Sequence, residues 1–367
     1  MRFVREQYLK LCVWDLEGPI SYVDFAADLF RKLESKMNKP ELSRFYQMIS
    51  NYDDYLIENP STIRTLKVES YEPGDTLRLL APFYIYYFSE DELVKISRDN
   101  PGLVPGSRDI IQKLLETWRV YIISTSYTQH AYNIASEIGL SKESVYCTDF
   151  PLNELKKQLG EIDDAIHTLI EVVFPEYLEH GLESVIDDLN TFFFKSKSNY
   201  NRVMMKVTVR GGKRKEEAMV QIASRLNYPL NRVVATGDSI TDIDMLNRVR
   251  KEGGVAVSYN GNQYSLPNAN IAVTSPNQMG SYPIYENHDN IWEWLKKWEL
   301  NYPDFKDNPE KIPRGLISDG TRRYYVENSF VPRIDDLRDL SPADKETVLK
   351  EQKDMRRKVR GWVGILG

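Results

Sequence analysis

The chain has 367 residues, of which 41% are hydrophobic and 28% are charged, and its formal net charge is −6. This length allows about two domains, or one domain with large insertions, and the acidic balance gives no reason to expect a nucleic-acid partner. The amino terminus lacks the apolar run of a signal peptide. No segment approaches the ~18–20 apolar residues that cross a bilayer, so no membrane partner is expected.

The number and spacing of the cysteines and histidines indicate the cellular compartment and the kind of metal ion that the chain could bind. Cys12 and Cys147 are the two cysteines, which argues against a disulfide framework and favours a reducing cytoplasm. The four histidines are scattered, with no metal-ligand spacing, so zinc is not expected. A metal bound by this chain would need carboxylate ligands, which favour a hard ion such as Mg²⁺.

An acidic loop follows the first predicted strand. The run Tyr8–Val13 is predicted to be a buried strand, and Asp15 and Glu17 follow it just before Gly18-Pro19 forces a turn. Carboxylates two residues apart point to the same side of an extended chain. The carboxyl end of a first strand is the usual place for chemistry in an open α/β sheet. On this stretch alone, a solvated acidic turn is an equally good interpretation.

Two long segments interrupt the pattern of strands. Helical and loop patterns without strand alternation predict that 21–101 is a helical insertion. Residues 151–205 are predicted to form a second helical insertion. The segment 281–367, rich in Tyr, Trp and charge, is predicted to be a C-terminal extension. Its basic run Lys353–Arg360 is interpreted as a solvated helix face rather than a binding patch.

Strands alternate with helices in the remaining segments, 1–20, 102–150 and 206–280. The run Val120–Ile123 ends in Ser124-Thr125-Ser126 before a helix, and the run Arg232–Thr236 leads into Gly237-Asp238. This alternation predicts an α/β fold with a doubly wound, mostly parallel sheet. Three further strands are predicted at Val145–Thr148, Gly254–Val257 and Ile271–Thr274.

The polar groups after strands or at helix starts form a specific series. Each is common by chance, but their order is not, and together they resemble the motifs of the haloacid dehalogenase (HAD) superfamily of Mg²⁺-dependent phosphohydrolases. The resemblance covers about 5–20, 102–150 and 206–275, and it implies a Rossmann-like core with a helical C1-type cap at 21–101. The residues that carry it are Asp15-Leu16-Glu17-Gly18, Tyr121-Ile122-Ile123-Ser124, Lys215, and Gly237-Asp238-Ser239-Ile240-Thr241-Asp242-Ile243-Asp244-Met245-Leu246, the last being the strongest match.

The resemblance implies a nucleophile and a metal site. Asp15 would form an aspartyl-phosphate that water later hydrolyses. Mg²⁺ would be held by Asp15, Asp238 and the backbone carbonyl of Glu17. Asp242 would orient metal-bound water or Lys215.

A phosphate-binding group is implied by the same resemblance. Ser124 and the amides of Thr125 and Ser126, expected at a helix amino terminus, would hold the phosphate. Lys215 would offset the negative charge around Asp15. Lys213 is the alternative motif lysine, and a solvated basic turn is the third interpretation.

Glu17 stands where most phosphatases of this superfamily have Asp, the residue that protonates the leaving group and then activates water. Some members have Glu there, including a phosphoserine/homoserine phosphotransferase group that also opens with DLEG, and an uncharacterised archaeal group with a DxEGP opening is similar too.

The resemblance as a whole implies hydrolysis of a small phosphorylated metabolite. Phosphotransfer between small alcohols and a non-catalytic HAD-like interaction protein are the alternatives. The sequence names neither the substrate nor the oligomeric state.

Overall fold

A seven-stranded sheet forms the centre of the computed structural model, which describes residues 9–361. The strands are β1 Lys10–Trp14, β2 Trp118–Tyr127, β3 Val145–Thr148, β4 Val234–Gly237, β5 Val255–Tyr259, β6 Ile271–Thr274 and β7 Arg333–Asp336. Their order across the sheet is β3-β2-β1-β4-β5-β6-β7, and every pair is parallel except β6 and β7. The predicted doubly wound, mostly parallel sheet is confirmed. Tyr8, at the start of the first predicted strand, lies outside the described residues.

Helices cover both faces of this sheet, which is why β4, β5 and β6 are buried along their whole length. In chain order the helices are α1 Phe25–Met37, α2 Leu42–Glu58, α3 Pro60–Leu66, α4 Thr76–Tyr87, α5 Glu90–Asp99, α6 Ser107–Leu114, α7 Thr128–Glu137, α8 Leu152–Leu159, α9 Asp163–His167, α10 Phe174–His180, α11 Leu182–Asn190, α12 Asn199–Met204, α13 Lys213–Arg225, α14 Ile243–Glu252, α15 Tyr282–Glu286, α16 Ile291–Phe305, α17 Asp319–Glu327 and α18 Pro342–Arg360. Within the described part of the chain, every helix is too short or too polar to cross a lipid bilayer.

The two helical insertions share one hydrophobic core. The rings of Phe45 in α2 and Phe174 in α10 lie 5.6 Å apart, edge to face. The hydroxyl of Tyr52 donates to Asn190 at 2.7 Å, and the hydroxyl of Tyr200 donates to the carbonyl of Leu79 at 2.7 Å. Segments that are distant in the sequence therefore form one helical layer beside the sheet.

Strand β2 is longer than predicted. It includes Ser124-Thr125-Ser126 and ends at Tyr127, so α7 begins only at Thr128. The hydroxyl-rich turn predicted between strand and helix is therefore part of the strand. The hydroxyl of Ser124 accepts the amide of Ser126 at 3.0 Å, and the pairing of β2 with β3 shifts register between Ile123 and Tyr127. This local bond between side chain and backbone makes an irregular strand end instead of a helix start.

The C-terminal segment completes the sheet. β7 adds an antiparallel edge strand to β6, and side chains such as Trp298 and Tyr325 are fully buried in the core of that sheet face. The sequence did not predict β7, because Arg333-Ile334-Asp335-Asp336 has a single apolar residue and no alternation. The segment is thus an integral part of the fold.

Helix α18 docks on the sheet through polar as well as apolar contacts. Gln352 is fully buried and donates to the carbonyls of Ser258 and Val273 at 2.9 and 3.1 Å. Arg356 is only 3% exposed, and the side chain of Arg360 is 7% exposed. The interpretation of Lys353–Arg360 as a solvated face is therefore wrong for these two arginines. The sequence shows the charges but not which face of the helix meets the sheet.

Replacement of Gln352 by Leu tests how α18 is fixed. The side-chain oxygen of Gln352 also accepts the amide of Gly261 at 2.7 Å, so Gln352→Leu leaves buried polar groups without partners. We expect the free energy of unfolding to fall by about 1–3 kcal/mol, because at least one buried polar group loses its hydrogen-bond partner. Chemical denaturation measures this, with the exposed Glu346→Ala on the same helix as a control expected to change it by less than ~0.5 kcal/mol. Equal effects of the two substitutions would contradict the docking.

Candidate active site

Three carboxylates converge at the carboxyl ends of β1 and β4. Asp15 follows β1, Asp238 follows β4, and the two strands are neighbours, with the amide of Asp15 donating to Thr236 at 2.8 Å. Asp242 lies one helical turn after Asp238. One oxygen from each carboxylate can be chosen so that all three lie within 4.8 Å of one another, and all three residues are buried. Parallel strands bring these loops to a single edge of the sheet.

Lys215, at the first turn of α13, lies between two of these carboxylates. Its Nζ is 2.8 Å from Asp15 and 2.7 Å from Asp242, and the residue is fully buried. Burial by itself lowers the pKa of Lys215, but the two carboxylates outweigh burial and raise that pKa above its usual range, so the ammonium group stays charged. Lys213, the alternative motif lysine, is exposed. The structure therefore brings Lys215, and not Lys213, to Asp15.

Both carboxylate oxygens of Asp242 accept hydrogen bonds. One oxygen accepts from Lys215 at 2.7 Å, and the other accepts the amides of Asp238 and Ser239 at 2.9 and 3.1 Å. A carboxylate held in this way is fixed in position and orients both Lys215 and the loop that carries Asp238. Of the two roles implied for Asp242, this geometry favours the orientation of Lys215.

Burial and the neighbouring carboxylate of Asp242 raise the pKa of Asp15 well above its usual value, while Lys215 opposes this shift. One Asp15 oxygen already accepts from the amide of Leu16 at 2.7 Å and faces Lys215. The anionic form of Asp15 therefore depends on cations close to it. A bound divalent ion would be a further cation of this kind.

Asp238 offers the clearest test of whether the site fits a metal. Its Oδ1 is buried and has no hydrogen-bond partner among the described residues, which is costly for a carboxylate oxygen. Its Oδ2 accepts from Arg356 and, at 3.1 Å, from Arg360. An all-oxygen ligand set with one unpartnered oxygen suits Mg²⁺. The residues present thus fit such an ion, with Asp15 and Asp238 as side-chain ligands.

Glu17 lies beside this cluster, and its side chain is 16% exposed. Its Oε1 accepts the amide of Phe25 at 3.3 Å. Burial and the charge of Asp24 raise the pKa of Glu17 to about 8, although Ser126 and Arg360 oppose the shift. His130 Nε2 is 4.0 Å from Oε1, but burial lowers the pKa of His130 to about 3, so this imidazole is neutral and supplies no counter-charge.

The end of the serine strand lies at the cleft and carries the groups expected to bind phosphate. Ser124 is fully buried, and its hydroxyl oxygen accepts the amide of Ser126. The amides of Thr125 and Ser126 directly precede Tyr127, the N-cap residue of α7, and their role in phosphate binding stays a prediction. Thr125 does line the cleft.

The cleft above the carboxylates contains about 650 Å³ of empty space, part of it open to solvent. The sheet loops form its floor, helices from the first insertion form one wall, and α18 forms another. The sequence missed the contribution of α18, and the wall residues of the insertion carry no motif. Its polar and aromatic lining residues include Asp15, Glu17, Asp24, Tyr46, Asp53, Asp54, Thr125, Ser239, Thr241, Arg356 and Arg360.

A family of haloacid dehalogenase-like hydrolases matches residues 107–282, which include Ser124, Lys215 and Asp238. Among solved structures, the chain is similar to gene product AF1437 of Archaeoglobus fulgidus, with 25% sequence identity and a TM-score of 0.74. This likeness covers 98% of the present chain and 99% of the archaeal chain. It therefore extends through both insertions and the C-terminal segment.

Two other solved structures are much less similar. Phosphoserine phosphatase in its apo form shares 13% identity and a TM-score of 0.41, over 77% of this chain and 99% of that one. The HAD-family hydrolase t0658 of Salmonella enterica serovar Typhi shares 14% identity and a TM-score of 0.38, over 71% and 67% of the two chains. Neither likeness is strong enough to argue an activity. No curated protein matches the chain.

Gly18 allows the loop after Asp15 to approach Asp238. Its φ is +111°, and an added Cβ would overlap the Asp238 carboxylate. We expect Gly18→Ala to lower the free energy of unfolding by about 1–3 kcal/mol more than a glycine change without such an overlap. Gly315 provides the control, because its φ is +83° and an added Cβ meets nothing within 4 Å. Chemical denaturation of Gly18→Ala and Gly315→Ala checks this, and equal losses would contradict the close approach.

Proposed function

The chain belongs to the haloacid dehalogenase superfamily of hydrolases, and we propose that it is a Mg²⁺-dependent phosphomonoesterase of a small phosphorylated metabolite. Asp15 is the nucleophile in this proposal, and Glu17 is the acid and base. The observation that carries the proposal is the cluster of Asp15, Asp238 and Asp242 at one edge of the sheet, with Lys215 between Asp15 and Asp242.

The residues that would hold Mg²⁺ are Asp15, Asp238 and the backbone of Glu17, and Oδ1 of Asp238 has no hydrogen-bond partner in the described part of the chain. When bound, the ion supplies Lewis acidity and reduces the repulsion between the anionic nucleophile and the anionic phosphate. Lys215, whose Nζ lies 2.8 Å from Asp15, adds positive charge beside the same nucleophile. Phosphoryl transfer needs mainly this kind of positioning and charge neutralisation.

The reaction proceeds in two transfers. A carboxylate oxygen of Asp15 attacks phosphorus and forms an aspartyl-phosphate, while the bond from phosphorus to the substrate oxygen breaks. Glu17 gives a proton to that leaving oxygen. Water then attacks the phosphorus of the aspartyl-phosphate, Glu17 takes a proton from this water, and Asp15 is released with inorganic phosphate. Glu17 is suited to both roles because its carboxyl group borders the cleft and is largely withdrawn from solvent.

The first insertion forms the wall of the cleft that faces the substrate. Tyr46, Asp53 and Asp54 line the cleft above the carboxylates, so they face the part of the substrate beyond the phosphate. A substrate that fills this cleft would exclude water from the reacting groups.

Asp15→Asn tests the nucleophile. The amide cannot form the aspartyl-phosphate, so we expect hydrolysis of p-nitrophenyl phosphate with Mg²⁺ to fall at least ~10³-fold. The exposed Asp304→Asn is the matched control and should retain full activity. Equal phosphate release by wild type and Asp15→Asn would contradict the catalytic proposal.

Metal removal tests the ion separately from turnover. Treatment with a chelator should abolish hydrolysis, and added Mg²⁺ should restore it. Mg²⁺ at 100 times its dissociation constant should also stabilise the folded protein by about 2.7 kcal/mol, measured as a rise in the melting temperature. Asp238→Asn removes a ligand and should lose this rise. A melting temperature of wild type that does not respond to Mg²⁺ would contradict the metal site.

A further inference from the structure

Two arginines of the C-terminal helix reach the metal cluster. Arg356 and Arg360 lie one turn apart on α18, and both pair with Oδ2 of Asp238, Arg360 at 3.1 Å. Arg356 also donates to the backbone carbonyl of Asp238 at 3.3 Å. The side chains of Arg356 and Arg360 are only 3% and 7% exposed. These are therefore buried ion pairs between distant parts of the chain, not surface contacts.

The charges of the cluster are balanced by these arginines. Asp15 and Asp242 share Lys215, and Asp238 has Arg356 and Arg360. Three carboxylates thus face three cations in a buried site, where an unbalanced charge is costly.

A divalent ion at Asp238 changes that balance. Mg²⁺ on the same carboxylate would bring two further positive charges beside two guanidinium groups, and cations at such short range repel each other strongly in a buried site. A metal on Asp238 would therefore compete by charge with the arginines, which hold Oδ2 of the same carboxylate. A dianionic phosphate that arrives with the metal restores the balance, provided that the arginines stay in the cleft.

Both arginines line the cleft together with Asp15, Glu17 and Thr125, so their guanidinium groups can turn from Asp238 to an anion bound there. Guanidinium groups bind phosphate through paired, parallel hydrogen bonds. At the serine strand end the Ser126 amide already donates to the Ser124 hydroxyl, so fewer backbone donors remain there for a phosphate.

We propose that Arg356 and Arg360 hold Asp238 until Mg²⁺ binds it, and then bind the phosphate of the substrate. This inference rests on the proposed phosphatase function and adds a phosphate-binding site that the C-terminal helix supplies. It makes metal and phosphate binding cooperative, since each ion supplies the charge that the other requires.

Calorimetric titration of the whole chain tests the proposal without turnover. Mg²⁺ alone is titrated into wild type, Arg356→Gln and Arg360→Gln, and inorganic phosphate is then titrated into the Mg²⁺-saturated proteins. We expect Arg356→Gln to bind Mg²⁺ alone at least tenfold more tightly, because its competitor is gone. The same variant should bind phosphate at least tenfold more weakly, and Arg360→Gln should change both affinities in the same directions.

The control is Arg357→Gln on the same helix, since Arg357 is exposed and pairs only with Asp354, at 3.4 Å, among the pairs seen in the described residues. It should bind both ions like wild type. Circular dichroism checks that each variant folds, and if Arg356→Gln does not fold, Arg360→Gln decides the question.

Either of two results would overturn the inference. If Mg²⁺ binds the folded arginine variants no more tightly than wild type, the arginines do not compete with the metal and serve only to position Asp238. Unchanged phosphate affinity also overturns it. A wild-type protein that binds no Mg²⁺ would instead contradict the metal site, and with it the proposed function.

Discussion

The ion triad of Asp15, Lys215 and Asp242 is the interaction on which the site depends. Lys215 bridges two carboxylates at 2.8 and 2.7 Å without contact with solvent. Loss of one partner from such a buried arrangement leaves an uncompensated charge and commonly costs about 3–5 kcal/mol. The triad therefore fixes β1, α13 and the loop after β4 in one relative position, and that position brings Asp238 beside the nucleophile.

Asp238 is where three parts of the chain meet. Gly18 brings the loop after β1 against its carboxylate, the loop after β4 carries it, and α18 approaches from the end of the chain. Its oxygens have unequal surroundings, since Oδ2 accepts from two arginines and Oδ1 has no partner among residues 9–361. This asymmetry links the binding of a cation at one oxygen to the arrangement of the C-terminal helix at the other.

The sequence predicted the sheet and its polar loops well for a physical reason. Parallel strands deliver their carboxyl ends to one edge, so Asp15 and Asp238 could be placed together from strand patterns alone. The end of β2 and the strand β7 were not predictable in this way, because a single side-chain bond at Ser124 and pairing with β6 decide them. Arg356 was missed because a charged helix pattern does not say which face docks, and tertiary contacts such as those of Gln352 set it. The roles of the site residues stay predictions.

Chemical trapping of the intermediate tests the central claim, that Asp15 attacks phosphorus, most directly. The protein is mixed with p-nitrophenyl phosphate and Mg²⁺, quenched in acid and treated with hydroxylamine, which converts an acyl phosphate to a hydroxamate that mass spectrometry can locate. A nucleophilic Asp15 predicts a hydroxamate at Asp15 that depends on substrate and Mg²⁺. A hydroxamate at another carboxylate, or phosphate release with none at Asp15, would contradict it.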